Sequence, residues 1–159
     1  MKIYNNELLG IFSLQEVLSI ASNIEISNAM LILPIIFHKK SLDYLAHKKT
    51  NTLSFQDLLL TKPEIIVSIN KRFYNFLPSS VNCVSLCLEN GIAELEHGKL
   101  AFKNKLILDN AIPFIGKRAV KIQAASINVA RLLLEEPHNI YDICGVRSVS
   151  YTHLRAHET

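Results

Sequence analysis

The stretch that decides the fold is SSVNCVSLCLENGIAELEHGKLAFKNK, residues 79–105. Its first part predicts a capped apolar helix over 80–90, which ends at Gly91 because glycine tolerates the left-handed conformation that often closes a helix. The following IAELE and KLAFK alternate apolar and polar side chains, with His97 and Gly98 at the turn between them. The stretch therefore predicts a helix followed directly by a β-hairpin.

Helix, glycine and short hairpin follow one another in the order of a winged helix-turn-helix. In this interpretation 63–77 and 80–90 are the two helices of the pair, and the hairpin is the wing. The predicted fold class is mainly α with one β-hairpin, a winged helix-turn-helix-like core plus flanking N- and C-terminal helices. Because a chain of 159 residues is long enough to bury a core by itself, we predict a single domain over 1–147.

Other helix starts are marked by Ser or Thr followed three residues later by an acid that can reach back to the cap amide. Three such pairs occur in the chain. Pro63 falls in the first turn of the helix that the third pair opens, where its missing backbone donor costs nothing. The pairs are Ser13 with Glu16, Ser54 with Asp57, and Thr61 with Glu64. Together the patterns predict helices at 13–22, 28–47, 54–60, 63–77, 80–90 and 116–136.

Within 28–47, Pro34 is expected to kink the helix or to mark its effective start. The basic residues His38, Lys39 and Lys40 fall at the edge of an apolar stripe in this segment. We interpret FHKK (37–40) and AHKK (46–49) together as a solvated helix rim plus favourable positive charge at a helix C-terminus.

The composition indicates a globular protein that neither enters a membrane nor requires an anionic partner. Apolar residues make up 49% of the chain, charged residues 19%, and the formal charge is +3. The longest apolar run, 29–37, has nine residues and one proline, whereas a bilayer span needs about 20. The N-terminus does not look like a secretory signal, and the three cysteines are expected to be reduced, so we predict a cytoplasmic protein. Cys83 and Cys87 are interpreted as small buried side chains.

No catalytic, metal or cofactor motif is evident, so the chain is predicted to be non-enzymatic and to need no cofactor. Outside the C-terminal tail, the four histidines lack the compact spacing with cysteines or carboxylates that zinc sites use. No glycine-rich loop precedes a helix. An enzymatic alternative would require a cleft in which His38 or His97 stands beside an acid or a thiol.

Nucleic-acid binding is the main competing function, because winged helices often place their second helix in the major groove. The segment 80–90 contains no lysine or arginine, so it lacks the contacts that read guanine and hold phosphate. Weak, nonspecific phosphate contacts remain open for five basic residues. These are Lys71, Arg72, Lys99, Lys103 and Lys105.

The predicted helix 116–136 is apolar around most of its circumference. Such a helix is either buried in this domain or packed against a partner, and we favour a long core helix. In the second case, the candidate interface consists of Val120, Ala124, Ile127 and Leu134.

Five segments of the chain together resemble the middle component of bacterial three-component ABC systems. They are YNNELLGIFSLQEVL, LILPIIFHKKSLDYL, PEIIVSINKRFYNFLP, NGIAELEHGKL and ICGVR, and from the first to the last they span residues 4–147 in the expected order. The resemblance implies a small non-enzymatic adaptor that links an ABC ATPase to a further component encoded nearby. It also implies a role against invading DNA or phage.

The closing residues do not read like the rest of the chain. His153 and His157 have the spacing of a helical metal pair, but Val149 to Thr159 resembles the translation of a transposase-type sequencing adapter. We therefore predict that 148–159 is a non-native, disordered tail and that this histidine pair is not a metal site.

Overall fold

The computed structural model describes residues 5–52 and 54–146, which form nine α-helices, one 3₁₀ turn and three β-strands. The predicted tail, with His153 and His157, lies outside these residues. The helices are α1 (Asn5–Ala21), α2 (Ile26–Ala29), α3 (Ile32–Ile36), α4 (Lys39–Ala46), α5 (Phe55–Thr61), α6 (Pro63–Glu89), α7 (Ile112–Ile115), α8 (Lys117–Leu132) and α9 (Pro137–Cys144). The strands are β1 (Asn23–Glu25), β2 (Ala93–Glu96) and β3 (Lys99–Phe102), and the 3₁₀ turn is Asp109–Ala111.

A mainly helical fold with a small antiparallel sheet is confirmed. The predicted hairpin is present as β2 and β3, with Leu95 paired to Leu100 in the register. A third strand, β1, adds to β3 in the antiparallel direction, so that the strand order is β1-β3-β2. The sequence did not reveal β1, because three residues are too few to show an alternating pattern.

The two helices predicted at 63–77 and 80–90 are one continuous helix, α6, with Pro78 inside it. The prediction of a helix pair separated by a turn is therefore wrong. Proline removes one backbone hydrogen bond, but the buried face of the helix continues across it from Phe73 to Ser80 and Cys87. Burial of that face outweighs the local preference for a break. The predicted end is confirmed, because Gly91 has φ of 74°.

Only one of the three predicted caps forms. Ser54 accepts a hydrogen bond from the Asp57 amide at 3.0 Å and opens α5. Ser13 instead lies in the middle of α1, where its hydroxyl donates to the Leu9 carbonyl at 2.6 Å. The first helix therefore begins eight residues before the predicted start. The Thr61 hydroxyl donates backwards to the Asp57 carbonyl and does not cap α6, although Pro63 is in the first turn as predicted.

The predicted helix 28–47 is divided into α2, α3 and α4. Pro34 lies in the first turn of α3, as expected for a helix start, but the main break falls at Phe37 and His38. His38 caps α4 by accepting a hydrogen bond from the Ser41 amide at 3.3 Å. Lys39 and Lys40 therefore stand in the first turn of α4, so a helix C-terminus is the wrong location for these two cations. His47, Lys48 and Lys49 directly follow the end of α4 at Ala46, as the interpretation of AHKK expects.

The core lies where α1 packs against both α6 and α8, with α4 closing the other side of α8. Its largest fully buried side chains include Phe12, Phe55 and Phe73. Among the residues described, no helix is long and apolar enough to cross a membrane.

Candidate protein-interaction surface

Helix α8 lies between α1 and α4 and turns one side into the core. The side chains of Ile122, Ala125 and Val129 on that side are fully covered. Their spacing of three and four residues places them on one face of the helix. The prediction of a core helix is therefore confirmed for this face, although α8 ends at Leu132 rather than at 136.

The opposite side of α8 is apolar and open to solvent. Val120, Ile127 and Leu134 expose 54%, 55% and 61% of their surface, and Ala124 between them is also exposed. Residues 120, 124 and 127 repeat at helical spacing, so they form one line along the helix. We call these four residues the α8 stripe. Val120 to Ile127 extend for roughly 10 Å along the helix axis, and Leu134 lies in the turn just after the helix ends.

A polar cluster fixes α8 against α1. The Gln123 amide donates to Glu16 at 3.2 Å, and Lys105 lies 3.5 Å from the same carboxylate. The neighbouring Gln15 is fully buried, and its carbonyl accepts the backbone amides of Leu106 and Ile107. These bonds tie the segment after β3 to α1. Sequence reasoning missed them, because Glu16 had been interpreted as half of a helix cap.

A second cluster fixes α8 against α4 and the loop that follows it. Lys121 donates to Asp43 at 2.6 Å, and this hydrogen bond lowers the pKa of the Asp43 carboxyl. The buried Asn128 side chain donates to the carbonyls of Leu45 and Thr50, and it accepts the Thr52 amide at 3.2 Å. The α8 stripe is thus carried by a helix that is held on both flanks.

The hairpin lysines that were candidates for nucleic-acid contact lie near carboxylates of this chain. Lys99 lies 3.9 Å from Glu25, and Lys103 lies 3.3 Å from Glu94. Lys105 belongs to the cluster around Glu16 described above. Since Glu25, Glu94 and Glu96 stand on the same small sheet as these lysines, the hairpin does not present a basic wing.

The other two candidates lie on α6, away from the hairpin. Arg72 donates to the Pro34 carbonyl at 2.8 Å and lies over the Phe76 ring, whereas Lys71 is exposed. Lys71 precedes the end of α6 by 18 residues, which is roughly 25 Å along the axis. The structure therefore does not gather the five candidate residues into one surface.

The cysteine thiols are packed inside the protein. Cys83, Cys87 and Cys144 are free and buried, which confirms the interpretation of the first two as packed side chains. Burial raises the pKa of Cys83 to about 11 and that of the other two to about 12.

The two histidines considered for catalysis lie on different elements of the fold: His38 hydrogen-bonds to Ser41, and His97 stands in the exposed hairpin turn. Within 5–52 and 54–146, no group of three metal-ligating side chains is present.

Fold and surface together define a mainly helical protein with a small sheet and an apolar helix face held open to solvent. The family model for the ABC-three component (ABC-3C) system Middle Component 3 matches residues 14–148. The chain belongs to this family, as its sequence motifs indicated, and membership implies that other components exist. No curated protein and no solved structure matches the chain.

Proposed function

We propose that this chain is a non-enzymatic, cytoplasmic adaptor that links the ABC ATPase of its system to a further component, in a bacterial defence against invading DNA or phage. The observation that carries the proposal is the α8 stripe. Val120 and Ile127 are more than half exposed on a helix whose flanks are fixed by hydrogen bonds. A rigid apolar face in a family defined by its partner components suits a docking surface.

The free energy available from burying the α8 stripe is consistent with docking. Complete burial of a large aliphatic side chain is worth about 1.5–3 kcal/mol of free energy. Covering the exposed half of one stripe side chain therefore contributes roughly 1 kcal/mol to binding. Three such side chains would supply only part of a stable complex, because association also costs translational and rotational freedom. Polar groups beside the stripe must therefore take part.

The lack of positive charge on the second half of α6 also supports an adaptor rather than a reader of DNA sequence. A helix, a strand, further helices and then the hairpin, with the first strand joined to the hairpin, suit a winged-helix-like frame. The helix that leads into the hairpin has no lysine or arginine after Arg72. Base-edge recognition and phosphate contact both depend on such cations.

The free thiols suit a reducing compartment such as the cytoplasm. The alternative function, nonspecific nucleic-acid binding, is weakened by the ion pairs of the hairpin lysines. It makes a separate prediction, namely binding to random duplex DNA that is strongest at low salt.

Co-purification tests the proposed function. The tagged chain would be co-expressed with the products of the two neighbouring genes, one at a time and then together. We expect a stable complex with the ATPase, and a ternary complex when the further component is added. A chain that purifies alone from all three co-expressions would contradict the proposal.

A further inference from the structure

A cleft of about 370 Å³ lies beside the α8 stripe, in the groove between α8 and α4. Its apolar lining comes from Ile36, Phe37 and Leu42, and its cations are Lys39, Arg118 and Lys121. We call it the basic cleft. It lies next to the stripe, because Lys121 and the stripe residue Ala124 are three residues apart on α8 and are therefore neighbours on the helix surface.

The cations of the basic cleft are only partly neutralised. Lys121 is paired with Asp43, the one carboxylate that lines the cleft. Lys39 is not within ion-pair distance of a carboxylate in the described part of the chain, but its charge helps to lower the pKa of Asp43, and Arg118 makes no ion pair there. Instead, the Arg118 guanidinium lies over the Phe37 ring at 5.2 Å from its centroid. The cleft therefore combines an excess of positive charge, three cations to one carboxylate among its lining residues, with an apolar floor.

Positive charge continues behind this floor. The Phe37 ring contacts Phe76 at a centroid distance of 5.8 Å, and Arg72 lies over Phe76 at 4.9 Å. The pKa of His38 is lowered by burial and, after that, by the charges of Arg72 and Lys40. Arg72 and Lys40 thus add positive charge near the cleft, although they do not line it, in a chain whose total formal charge is only +3.

Neither helix is stabilised by the cations that it contributes. Lys39 is the first residue of α4 and Arg118 is the second residue of α8. Positive charge at a helix N-terminus opposes the helix dipole, whereas an anion placed there is favoured. The local cost would be offset by a bound partner that brings carboxylates.

We propose that the basic cleft binds an acidic segment of a partner component, with one apolar side chain of that segment on the floor formed by Phe37 and Leu42. This inference rests on the proposed adaptor function and supplies the polar contacts that the α8 stripe lacks. A duplex presents phosphate and sugar to a shallow groove and has no side chain to cover an apolar floor. Carboxylates next to an apolar residue match both parts of the cleft.

Charge reversal tests this proposal. The variants are Arg118→Glu and Lys39→Glu, with Lys49→Glu as the matched control, because Lys49 is an exposed lysine beyond the opposite end of α4. Binding of each chain to the purified ATPase and to the further component would be measured at low and at high salt. An acidic residue in the first turn favours a helix, but Lys39→Glu places a second carboxylate four residues before Asp43 and Arg118→Glu removes the contact with the Phe37 ring. Because these effects oppose each other, we expect small changes in melting temperature, which thermal unfolding would check.

We expect each cleft variant to bind its component roughly tenfold more weakly than the wild type at low salt, and Lys49→Glu to bind as the wild type does. High salt should weaken the wild type more than the cleft variants. Equal binding by all chains would overturn the cleft proposal while leaving the adaptor function intact. A wild type that binds neither component would overturn both proposals. Random duplex DNA that binds at low salt and is lost in the cleft variants would show a nucleic-acid surface instead, which also overturns the cleft proposal.

Discussion

Gly10 of α1 and Cys83 of α6 meet where the two helices cross. A Cβ atom placed on Gly10 would lie 2.6 Å from the Cys83 Sγ atom, closer than packed atoms approach each other. Cys83 is almost completely buried there. The close approach of α1 and α6 therefore depends on the absence of a side chain at position 10.

Gly10→Ala should destabilise the protein, although alanine is ordinarily the better helix former by about 1 kcal/mol. Overpacking of a core costs about 1–3 kcal/mol, so the unfavourable term should prevail. Cys83→Ala in the same chain removes the clashing sulfur and should recover part of the loss. Urea unfolding of the wild type, both single variants and the double variant measures this coupling. Simple additivity of the two changes would contradict the predicted contact.

Asn128→Ala should cost about 2–3 kcal/mol of unfolding free energy, because it leaves buried backbone groups without partners. The groups concerned are the carbonyls of Leu45 and Thr50 and the amide of Thr52. Asn75→Ala is the matched control, since Asn75 is exposed on α6. Thermal unfolding should show a large loss for the first variant and little change for the second. Equal losses of stability in the two variants would contradict a stabilising role for the hydrogen bonds of Asn128.

Stability should fall on acidification below pH 6.5 because of His38. Its pKa is lowered from the ordinary value of 6.5 by burial and by Arg72 and Lys40, so the unfolded chain binds a proton more readily than the folded chain. The contribution of neutral His38 to the free energy of unfolding is therefore fully present above the pKa of His38 in the unfolded chain. It is lost as the pH falls through the pKa of His38 in the folded chain. His38→Asn keeps a good helix cap and removes the titrating group. Melting curves across this window should be less pH-dependent for the variant, and identical pH dependence would contradict the assignment.

The three cysteines should be unreactive in the folded protein at neutral pH. Burial raises the pKa of Cys83 to about 11 and those of Cys87 and Cys144 to about 12, so almost no thiolate is present. A disulfide reagent should label these thiols only after urea is added. Rapid labelling of the native chain would show that at least one thiol is accessible and activated.

Local patterns predicted those parts of the fold that local chemistry decides. The hairpin, the glycine at its entrance and the Ser54 cap are each specified by a few neighbouring residues. The exposed and buried faces of α8 also follow from helical spacing, although spacing alone did not say which face meets solvent.

Elements decided by distant contacts were missed. Pro78 predicts a break, but the buried residues on both sides of it keep α6 continuous. Ser13 and Glu16 have the spacing of a cap, yet both are buried inside α1, and Glu16 instead meets Gln123 and Lys105. The convergence of Lys39 and Arg118 on one cleft likewise depends on how α4 packs against α8, which the order of residues does not show.

Two valines with similar exposure, one in the α8 stripe and one outside it, can test whether the stripe binds a partner component. Val120 is 54% exposed on α8 and Val67 is 52% exposed on α6, so Val120→Asp and Val67→Asp make the same change in similar surroundings on different faces. Both variants should fold with melting temperatures near that of the wild type.

The most direct measurement is the dissociation constant of the wild type and these two variants for the component that co-purifies with the chain. The adaptor account predicts that Val120→Asp weakens binding at least about tenfold, as expected when a central apolar contact is replaced by a charge. Val67→Asp should bind as the wild type does. Equal affinities for all three chains, or a loss confined to Val67→Asp, would contradict the account.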